Sequence, residues 1–208
     1  GKNFDFGNTS KEYAKYRDIY PKELYEKLYS LGIGNKNTTW LDMGTGTGVI
    51  PFNLCEFGAD IKAIDISENQ ILAAKDLAKE RNIENIEFSV SGAEKTPFVD
   101  NSFDCITAAQ CFWYFDRENA TNEIKRIIKP NGTFVKIYMS YMLTDEIANE
   151  SHKLVKKLNK NWTPGASGSK DIYNPPFLNG EIETFECNIP FTRESWHGRM
   201  LAWRGTMA

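Results

Sequence analysis

The stretch at residues 38–48, Thr-Thr-Trp-Leu-Asp-Met-Gly-Thr-Gly-Thr-Gly, constrains the fold of this chain more than any other. A short β-prone run ends at an acidic residue, three alternating glycines follow, and apolar residues then recur at helical spacing from Val49. This pattern predicts a tight turn between a strand and a helix. Because glycine has no Cβ, it adopts left-handed backbone angles and lets a ligand lie directly against the backbone. The stretch therefore predicts a binding site for a nucleotide-like molecule.

The spacing of the glycines indicates which kind of molecule the turn binds. A dinucleotide-binding turn requires a third glycine three residues after the second, and Val49 stands at that place, three residues after Gly46. The pattern Gly44-x-Gly46-x-Gly48, preceded by Asp42, resembles instead the first motif of class I S-adenosylmethionine-dependent methyltransferases. The ligand of that family carries no phosphate.

Helical and strand patterns alternate after the glycine turn. In chain order, the patterns predict a helix over residues 47–58, a strand at 60–65, a helix that starts at Ser67, strands at 83–90 and 103–109, a helix that Asp116 caps, and a strand at 133–139. Before the first strand, Pro21 suits a first helical turn, and leucines recur at helical spacing as far as Gly32. The alternation predicts a doubly wound α/β fold with a mostly parallel, Rossmann-like sheet.

Asp65 stands at the carboxyl end of the strand predicted over residues 60–65. An open α/β sheet presents ligand groups at this end, and a carboxylate there can accept hydrogen bonds from both hydroxyls of a ribose. The alternative role for Asp65 is to cap the following helix. Ser67 and Gln70 have the spacing of a capping box. We therefore assign the cap to Ser67 and ribose binding to Asp65.

Two later segments extend the resemblance. Residues 91–98, Ser-Gly-Ala-Glu-Lys-Thr-Pro-Phe, resemble the family segment that lines the adenine ring, although Gly92 stands where an acidic residue is common. Residues 110–116, Gln-Cys-Phe-Trp-Tyr-Phe-Asp, are similar to a signature of trans-aconitate-like methyltransferases, with Trp113 and Tyr114 in place of the usual His-Trp pair. The aromatic residues either belong to the core or attract a sulfonium through their ring faces.

The N-terminal part contains a candidate lid. Capping-box spacing at Thr9 and Glu12 predicts a short helix from about Ser10 to Arg17. The run at residues 13–21 is similar to a segment that packs over the cofactor in small-molecule methyltransferases, which implies contacts from Tyr16 and Arg17. The alternative is an amphipathic docking helix that does not touch the ligand.

The region after the core is less informative. Lys-Pro-Asn-Gly at residues 129–132 predicts a turn before the fifth strand, and Thr144 is predicted to open a helix that reaches about Leu158. Residues 159–176 have the composition of an irregular loop. A strand at residues 183–189 and a helix at residues 194–203 are expected to follow. The C-terminal β-hairpin of the family has no recognisable counterpart before Ala208, so we expect a sheet without it.

Composition limits the class of protein. With 208 residues, 41% of them hydrophobic, the chain suits a single domain, which we divide into a helical lid (1–32), a cofactor-binding core (33–140) and an acceptor-side region (141–208).

The net charge of -3 argues against a nucleic-acid partner, and the lysines near residues 153–160 are interpreted as a solvated helix face. The four cysteines show no metal-ligand or disulfide spacing and are expected to be reduced. No segment has the length of a membrane span. We expect a cytoplasmic monomer or weak homodimer.

The resemblance implies S-adenosylmethionine as cofactor, S-adenosylhomocysteine as product, and direct in-line transfer of a methyl group to a small-molecule acceptor. It assigns cofactor contacts to Tyr16, Arg17, Gly44, Thr45, Gly46, Asp65, Ile66, Ala93, Glu94 and Gln110. Such a displacement depends mainly on orientation and requires no nucleophilic side chain, so no catalytic residue is assigned. A general base is needed only for a protonated acceptor, and the candidates are His152, His197, Glu194 and Tyr114.

Two other functions remain open at this point. One is an NAD(P)-dependent oxidoreductase on a Rossmann fold. Val49 argues against it, because a dinucleotide-binding turn requires glycine at that position. The other is a non-catalytic S-adenosylmethionine-binding protein, which lacks any sequence feature that would distinguish it.

Overall fold

The computed structural model of the chain describes residues 20–160 and 180–201. Within these ranges the elements are α1 (Lys22–Ser30), β1 (Thr39–Met43), α2 (Val49–Leu54), β2 (Asp60–Asp65), α3 (Glu68–Glu80), β3 (Ile86–Val90), β4 (Phe103–Ala109), α4 (Arg117–Ile127), β5 (Ile128–Ile137), α5 (Glu146–Leu158) and α6 (Arg193–Leu201). Helices and strands mostly alternate, except that β4 follows β3 without a helix between them and two helices follow the last strand. The helix predicted at residues 10–17 lies outside the described residues, as does most of the loop predicted at residues 159–176.

The five strands form one sheet in the order β3-β2-β1-β4-β5, and every pair is parallel. The strand order reverses between β1 and β4. In open α/β sheets the crevice at such a reversal, at the carboxyl ends of the strands, is where ligands bind. The predicted doubly wound α/β fold is confirmed, and the glycine turn that follows Met43 lies at the reversal.

Each face of the sheet carries its own hydrophobic core, because side chains alternate along a strand. On one face, Trp40 of β1 packs with residues from α1, α2 and α3, including Leu28 and Ile71. On the other face, Leu41 and Met43 pack with residues of α4 such as Ile124. The strands are thus held between two helical layers, and the ends of β1 and β4 are fixed in place.

The fifth strand differs from its prediction. It begins at Ile128, directly after α4, and ends at Ile137, instead of spanning residues 133–139. Lys-Pro-Asn-Gly lies inside the strand as an irregularity, because the pairing with β4 jumps from Phe103↔Ile128 to Cys105↔Thr133. A Cβ on Gly132 would come within 2.6 Å of Ile128 Cγ1 and 3.0 Å of the Asp104 carbonyl oxygen, which explains the glycine.

Other boundaries are also corrected. Asp145, and not Thr144, caps α5, since its carboxylate accepts a hydrogen bond from the Ala148 backbone N–H at 2.8 Å. Residues 183–189 are not a strand: this segment lies beside α1, where Lys27 forms an ion pair with Glu183. The last helix begins at Arg193, one residue before its predicted start.

All four cysteines are free thiols, as expected. Among the described helices there is none with the length and apolar character needed to cross a membrane.

Candidate functional site

The glycine turn connects β1 to α2 with three left-handed residues, at φ of 66° for Gly44, 58° for Gly46 and 86° for Gly48. Two of these glycines are required by internal packing. A Cβ on Gly44 would lie 2.7 Å from Cys111 Sγ, and one on Gly48 would lie 2.9 Å from a ring carbon of Phe52. A Cβ on Gly46 would meet no atom within 4 Å. Gly46 therefore faces open space, where a ligand can approach bare backbone.

Asp65 anchors this turn from the end of β2. One carboxylate oxygen accepts a hydrogen bond from the Gly46 backbone N–H at 2.9 Å, and the other accepts one from the Ser67 backbone N–H at 2.9 Å. Burial raises the pKa of Asp65, and the hydrogen bonds from Ser67, Gly46 and Ile66 oppose that rise. An ionised carboxylate has about four acceptor sites, so these three contacts leave capacity for about one hydroxyl group.

The predicted capping box at Ser67 is wrong. Ser67 occupies the N-cap position of α3, but its side chain makes no capping hydrogen bond. The start of α3 is held by Asp65 instead, through the Ser67 N–H. The Asp65 carboxylate thus reaches both the glycine turn and the start of α3. The capping role that was the alternative for Asp65 is therefore present, and ribose binding stays a prediction.

A buried polar chain runs beneath the turn. The Trp40 indole N–H donates to Thr107 Oγ1 at 2.8 Å, and the Thr107 hydroxyl donates to Asp42 Oδ1 at 2.5 Å. Burial raises the pKa of Asp42 to about 6; hydrogen bonds from Thr107 and Thr45 oppose the rise, and the negative charge of Asp65 adds to it. Two carboxylates with raised pKa values therefore lie below the crevice.

The end of β4 closes the other side of the crevice. Gln110 adopts a left-handed conformation, with φ of 56°. Two hydrogen bonds hold it: its backbone N–H donates to the Ile137 carbonyl at 3.0 Å, and its side-chain amide donates to the Met139 carbonyl at 2.6 Å. Left-handed angles at non-glycine residues cluster at functional sites. Cys111 follows, and its thiol donates to the Met43 carbonyl at 3.1 Å. Burial, with the charges of Asp42 and Asp65, raises the pKa of this thiol well above its ordinary value.

The carboxyl ends of β2 and β3 form the third side of the crevice. Ile66 is 78% exposed, although it is a large apolar side chain beside the crevice. The Ser91 N–H donates to the Asp65 carbonyl at 3.0 Å, which holds the segment after β3 against it. The Ala93 methyl group is buried in the core, so a ligand contact at this residue would involve its backbone. The Glu94 carboxylate accepts a hydrogen bond from the Asp116 N–H at 3.0 Å.

The aromatic run after β4 divides between core and surface. Phe112 is buried against Phe134 of β5. Trp113 packs against Tyr114 and against Tyr138, with ring centroids 5.5 Å apart in both pairs. Tyr114 is about half exposed. The core interpretation therefore applies to Phe112, while Trp113, Tyr114 and Tyr138 lie at the carboxyl ends of β4 and β5.

The structure brings eight of the ten predicted cofactor residues to one end of the sheet: Gly44, Thr45, Gly46, Asp65, Ile66, Ala93, Glu94 and Gln110. Tyr16 and Arg17 lie outside the described residues. Among the candidate bases, Tyr114 follows the end of β4. His152 lies on α5, where burial lowers its pKa, while Glu194 and His197 are exposed on α6.

Sequence reasoning missed three residues of this region. Thr107 connects Trp40 to Asp42, Cys111 supports Gly44, and Tyr138 packs on Trp113. The only signal for Thr107 was a hydroxyl within the apolar run that follows Asp104 in β4. Their partners lie on other elements, so spacing along the chain does not reveal them.

Comparison with known proteins adds independent information. A family model described as a methyltransferase domain matches residues 34–185. A relative from Rickettsia felis, the ubiquinone/menaquinone biosynthesis C-methyltransferase, is 32% identical over 205 residues, covering 91% of this chain and 80% of the relative.

Two solved structures share the fold. An S-adenosyl-L-methionine-dependent methyltransferase from Methanococcus maripaludis matches with a TM-score of 0.60 and 23% identity, over 78% of this chain and 75% of that one. The geranyl diphosphate C-methyltransferase of Streptomyces coelicolor, solved with S-adenosyl-L-homocysteine, matches with a TM-score of 0.50 and 23% identity, over 55% of this chain and 44% of that one.

Proposed function

The chain belongs to the methyltransferase family whose domain spans residues 34–185, and we propose that it methylates an apolar, unsaturated small molecule bound over the ends of β4 and β5. Methyl transfer that depends on S-adenosylmethionine is the activity of this family. Beyond this activity, we propose which residues hold the cofactor, where the acceptor binds, and what kind of molecule the acceptor is.

The residues at the crevice fit the cofactor. S-adenosylmethionine, when bound, supplies an electrophilic methyl group on a sulfonium. Gly46 offers backbone with open space in front of it. Asp65 presents a carboxylate with acceptor capacity for a ribose hydroxyl, and Ile66 offers an exposed apolar surface for a flat ring. In this proposal Gly44, Thr45 and Gly46 line the backbone cradle, and Gln110 closes it from β4.

The strand order supports a direction for the bound cofactor. Asp65 follows β2, and Ala93 and Glu94 follow β3, so the ribose and adenine groups lie on the β2–β3 side of the crevice. The other end of the cofactor then extends over the glycine turn toward β4. The reacting atoms must be held close together and aligned for displacement. The acceptor therefore belongs over the ends of β4 and β5.

The side chains on that side favour an apolar, unsaturated acceptor. Trp113, Tyr114 and Tyr138 present ring surfaces next to Gln110, whose side-chain amide holds the segment after β5 through the Met139 carbonyl. This arrangement is the observation that carries the proposal. Aromatic rings pack against flat or unsaturated groups, exclude water, and attract a nearby cation to their faces. The Rickettsia felis and Streptomyces coelicolor enzymes are named for quinone biosynthesis and for an isoprenoid diphosphate.

An acceptor panel tests the proposal. The chain is incubated with S-adenosylmethionine and either hydroxylated aromatic rings, isoprenoid diphosphates or small polycarboxylic acids, and the release of S-adenosylhomocysteine is measured. We expect turnover with a member of the first two classes. Turnover with polycarboxylic acids alone would contradict the proposed acceptor class. Binding of S-adenosylhomocysteine without turnover in any class would favour the non-catalytic alternative.

A substitution localises the acceptor site. Trp113→Ala is expected to raise the KM for the acceptor while the Kd for S-adenosylhomocysteine stays unchanged, because Trp113 lies on the β4–β5 side. Tyr29→Ala is the control, since Tyr29 is a partly exposed aromatic residue that packs on Phe57, away from the crevice. Equal effects of the two substitutions on KM would contradict the placement of the acceptor.

A further inference from the structure

One side of α5 exposes large apolar side chains to solvent. Ile147 is 61% exposed, Leu154 is 56% exposed and Leu158 is 77% exposed. Ala148 and Val155 lie farther round the same helix and are buried against the rest of the protein. The helix is therefore attached to the domain by one side and presents a second apolar side outwards. Exposed apolar residues that lie together mark interaction sites.

The spacing of the exposed residues is that of a seam between two helices. Ile147, Ser151, Leu154 and Leu158 follow one another at intervals of four, three and four residues. This is the alternation of a and d positions in a heptad, which places the four side chains on one narrow line along the helix. Ser151 Oγ accepts a hydrogen bond from the Trp196 indole N–H at 3.0 Å, which fixes the line relative to α6. A line this narrow suits packing against a single helix.

The charges beside this line change sign along α5. Glu150 and Lys157 occupy equivalent positions in successive heptads and flank the apolar line on the same side. Glu146 begins the helix, and Lys160 follows its end. Glu150 forms an exposed ion pair with Lys153 at 2.7 Å, whereas Lys157 forms no ion pair within the part of the chain that the structure describes. The flank is therefore acidic in its first half and basic in its second.

We propose that α5 forms an interface between two copies of this chain, in which the two α5 helices pack antiparallel about a two-fold axis. Ile147 of each copy then lies against Leu158 of the other, and Leu154 lies against Ser151. A two-fold interface is self-complementary, so each of these contacts occurs twice. The inference goes beyond the proposed function and does not depend on it.

The charges favour this occupant over others. In an antiparallel pair, residues that flank the seam on the same side face each other, so Glu150 of each copy faces Lys157 of the other. A parallel pair would bring the two acidic halves together and the two basic halves together. An anionic bilayer would attract the lysines but repel Glu146 and Glu150.

The size of the seam predicts a weak dimer. α5 has 13 residues and is about 20 Å long. Two helices of this length bury less than the roughly 1,200 Å² of total surface at which stable interfaces begin. We therefore expect dissociation in the micromolar range or above, so that monomer and dimer exchange.

The experiment is analytical ultracentrifugation of the full chain over a series of concentrations. The wild type should change from monomer to dimer as its concentration rises. Leu154→Asp should raise the dissociation constant by roughly tenfold or more, because the dimer would then bury unpaired charges. Leu72→Asp is the matched control and should leave it unchanged, since Leu72 is an exposed leucine on α3, which packs on β2 and β3 at the other edge of the sheet.

Charge reversal tests the antiparallel arrangement and covers the case in which Leu154→Asp does not fold. Lys157→Glu should weaken association severalfold, because it brings acidic side chains face to face at both ends of the seam. Glu150→Lys should weaken it in the same way with basic side chains. The double variant Glu150→Lys/Lys157→Glu should restore the wild-type dissociation constant, since each pair is then reversed.

Three results would overturn the proposal. One is a wild type that stays monomeric at every concentration. Another is a dimer whose dissociation constant neither Leu154→Asp nor Lys157→Glu changes, because it would form through a different surface. The third is a monomer that sediments with phosphatidylglycerol vesicles and loses this binding in Leu154→Asp, which would assign the exposed line to a bilayer.

Discussion

Carboxylates at the two ends of the sheet lie in opposite environments. At the amino ends, Asp104 accepts hydrogen bonds from the Thr39 N–H at 2.8 Å, the Thr39 hydroxyl at 2.9 Å and the Lys129 ammonium at 2.8 Å. Burial alone would raise the pKa of Asp104, but these contacts outweigh it and lower the pKa. At the carboxyl ends, burial raises the pKa of Asp42 to about 6 and also raises that of Asp65.

This difference distinguishes the amino end of the sheet, where the charges stabilise the fold, from the carboxyl end, where we propose that the ligand binds. A carboxylate with a lowered pKa contributes stability at neutral pH, whereas a buried one with a raised pKa costs stability there. The carboxyl end also contains the left-handed residues Gly44, Gly46 and Gln110. Unfavourable buried charges therefore accumulate where the ligand is expected, which is typical of functional sites.

The largest expected effect comes from Gly46→Val. The side chain would extend into the open space in front of the turn, where the cofactor is proposed to lie, and S-adenosylhomocysteine binding should fall below detection by calorimetry. Gly58→Val is the matched control, because Gly58 also has positive φ, at 90°, and its Cβ would meet only Lys36 at ordinary distance. Both variants should lose stability from the same backbone strain. Only Gly46→Val should lose binding, and normal affinity in that folded variant would contradict the site.

Asp65→Ala should weaken S-adenosylhomocysteine by about 1.5 to 3 kcal/mol, the range for hydrogen bonds to a charged group. The comparison ligand is an analogue that lacks both ribose hydroxyls, whose affinity should change much less. Asp60→Ala, an exposed carboxylate at the other end of β2, is the control. An equal loss for both ligands would mean that Asp65 acts by holding Gly46 and not by binding the ribose.

Asp42→Asn should increase the stability of the ligand-free protein at pH 7 by up to about 3 kcal/mol, since the pKa is raised from 3.8 to about 6, one pKa unit corresponds to about 1.4 kcal/mol, and the amide keeps an acceptor for Thr107. The folded pKa of about 6 lies above the ordinary 3.8, so the wild type loses stability as pH rises from about 4 to 6. The gain should be full above pH 6 and disappear near pH 4. Chemical denaturation at several pH values measures it, and a destabilised variant at pH 7 would contradict the raised pKa.

Asp104→Asn tests the opposite end and should have the smallest effect. We expect a stability loss of about 1 kcal/mol or less at neutral pH, because this carboxylate is partly exposed. A lowered folded pKa means that the wild-type contribution is present above the unfolded pKa near 4 and is lost as pH falls through the folded value. The loss caused by the substitution should therefore shrink in acid. Any change in S-adenosylhomocysteine affinity would show that the two ends are not independent.

The parts of the fold that follow from local pattern were predictable. β2 and β4 have the boundaries predicted for them, because apolar runs between turn signals specify buried parallel strands. The irregular start of β5 was not predictable, since Gly132 is required by contacts with Asp104, which lies on another strand. The cap of α3 was assigned to Ser67, and not to Asp65, for a related reason. Its carboxylate spans two elements, whereas a capping box is a pattern within one.

In the candidate site, too, some features were predictable from the sequence and others were not. The glycine spacing and the position of Asp65 at a strand end were legible in the sequence. The link between Trp40, Thr107 and Asp42, and the contact between Glu94 and Asp116, join residues on different elements. Such contacts depend on the sheet order, which a single sequence does not specify.

The most direct test of the central claim is a crystal structure of the chain with S-adenosylhomocysteine. We expect the ribose hydroxyls within hydrogen-bond distance of the Asp65 carboxylate, the backbone of Gly44–Gly46 against the ligand, and the adenine ring between Ile66 and the segment after β3. The homocysteine end should point toward Gln110. Ligand density over the ends of β4 and β5 with Asp65 uncontacted would contradict the account.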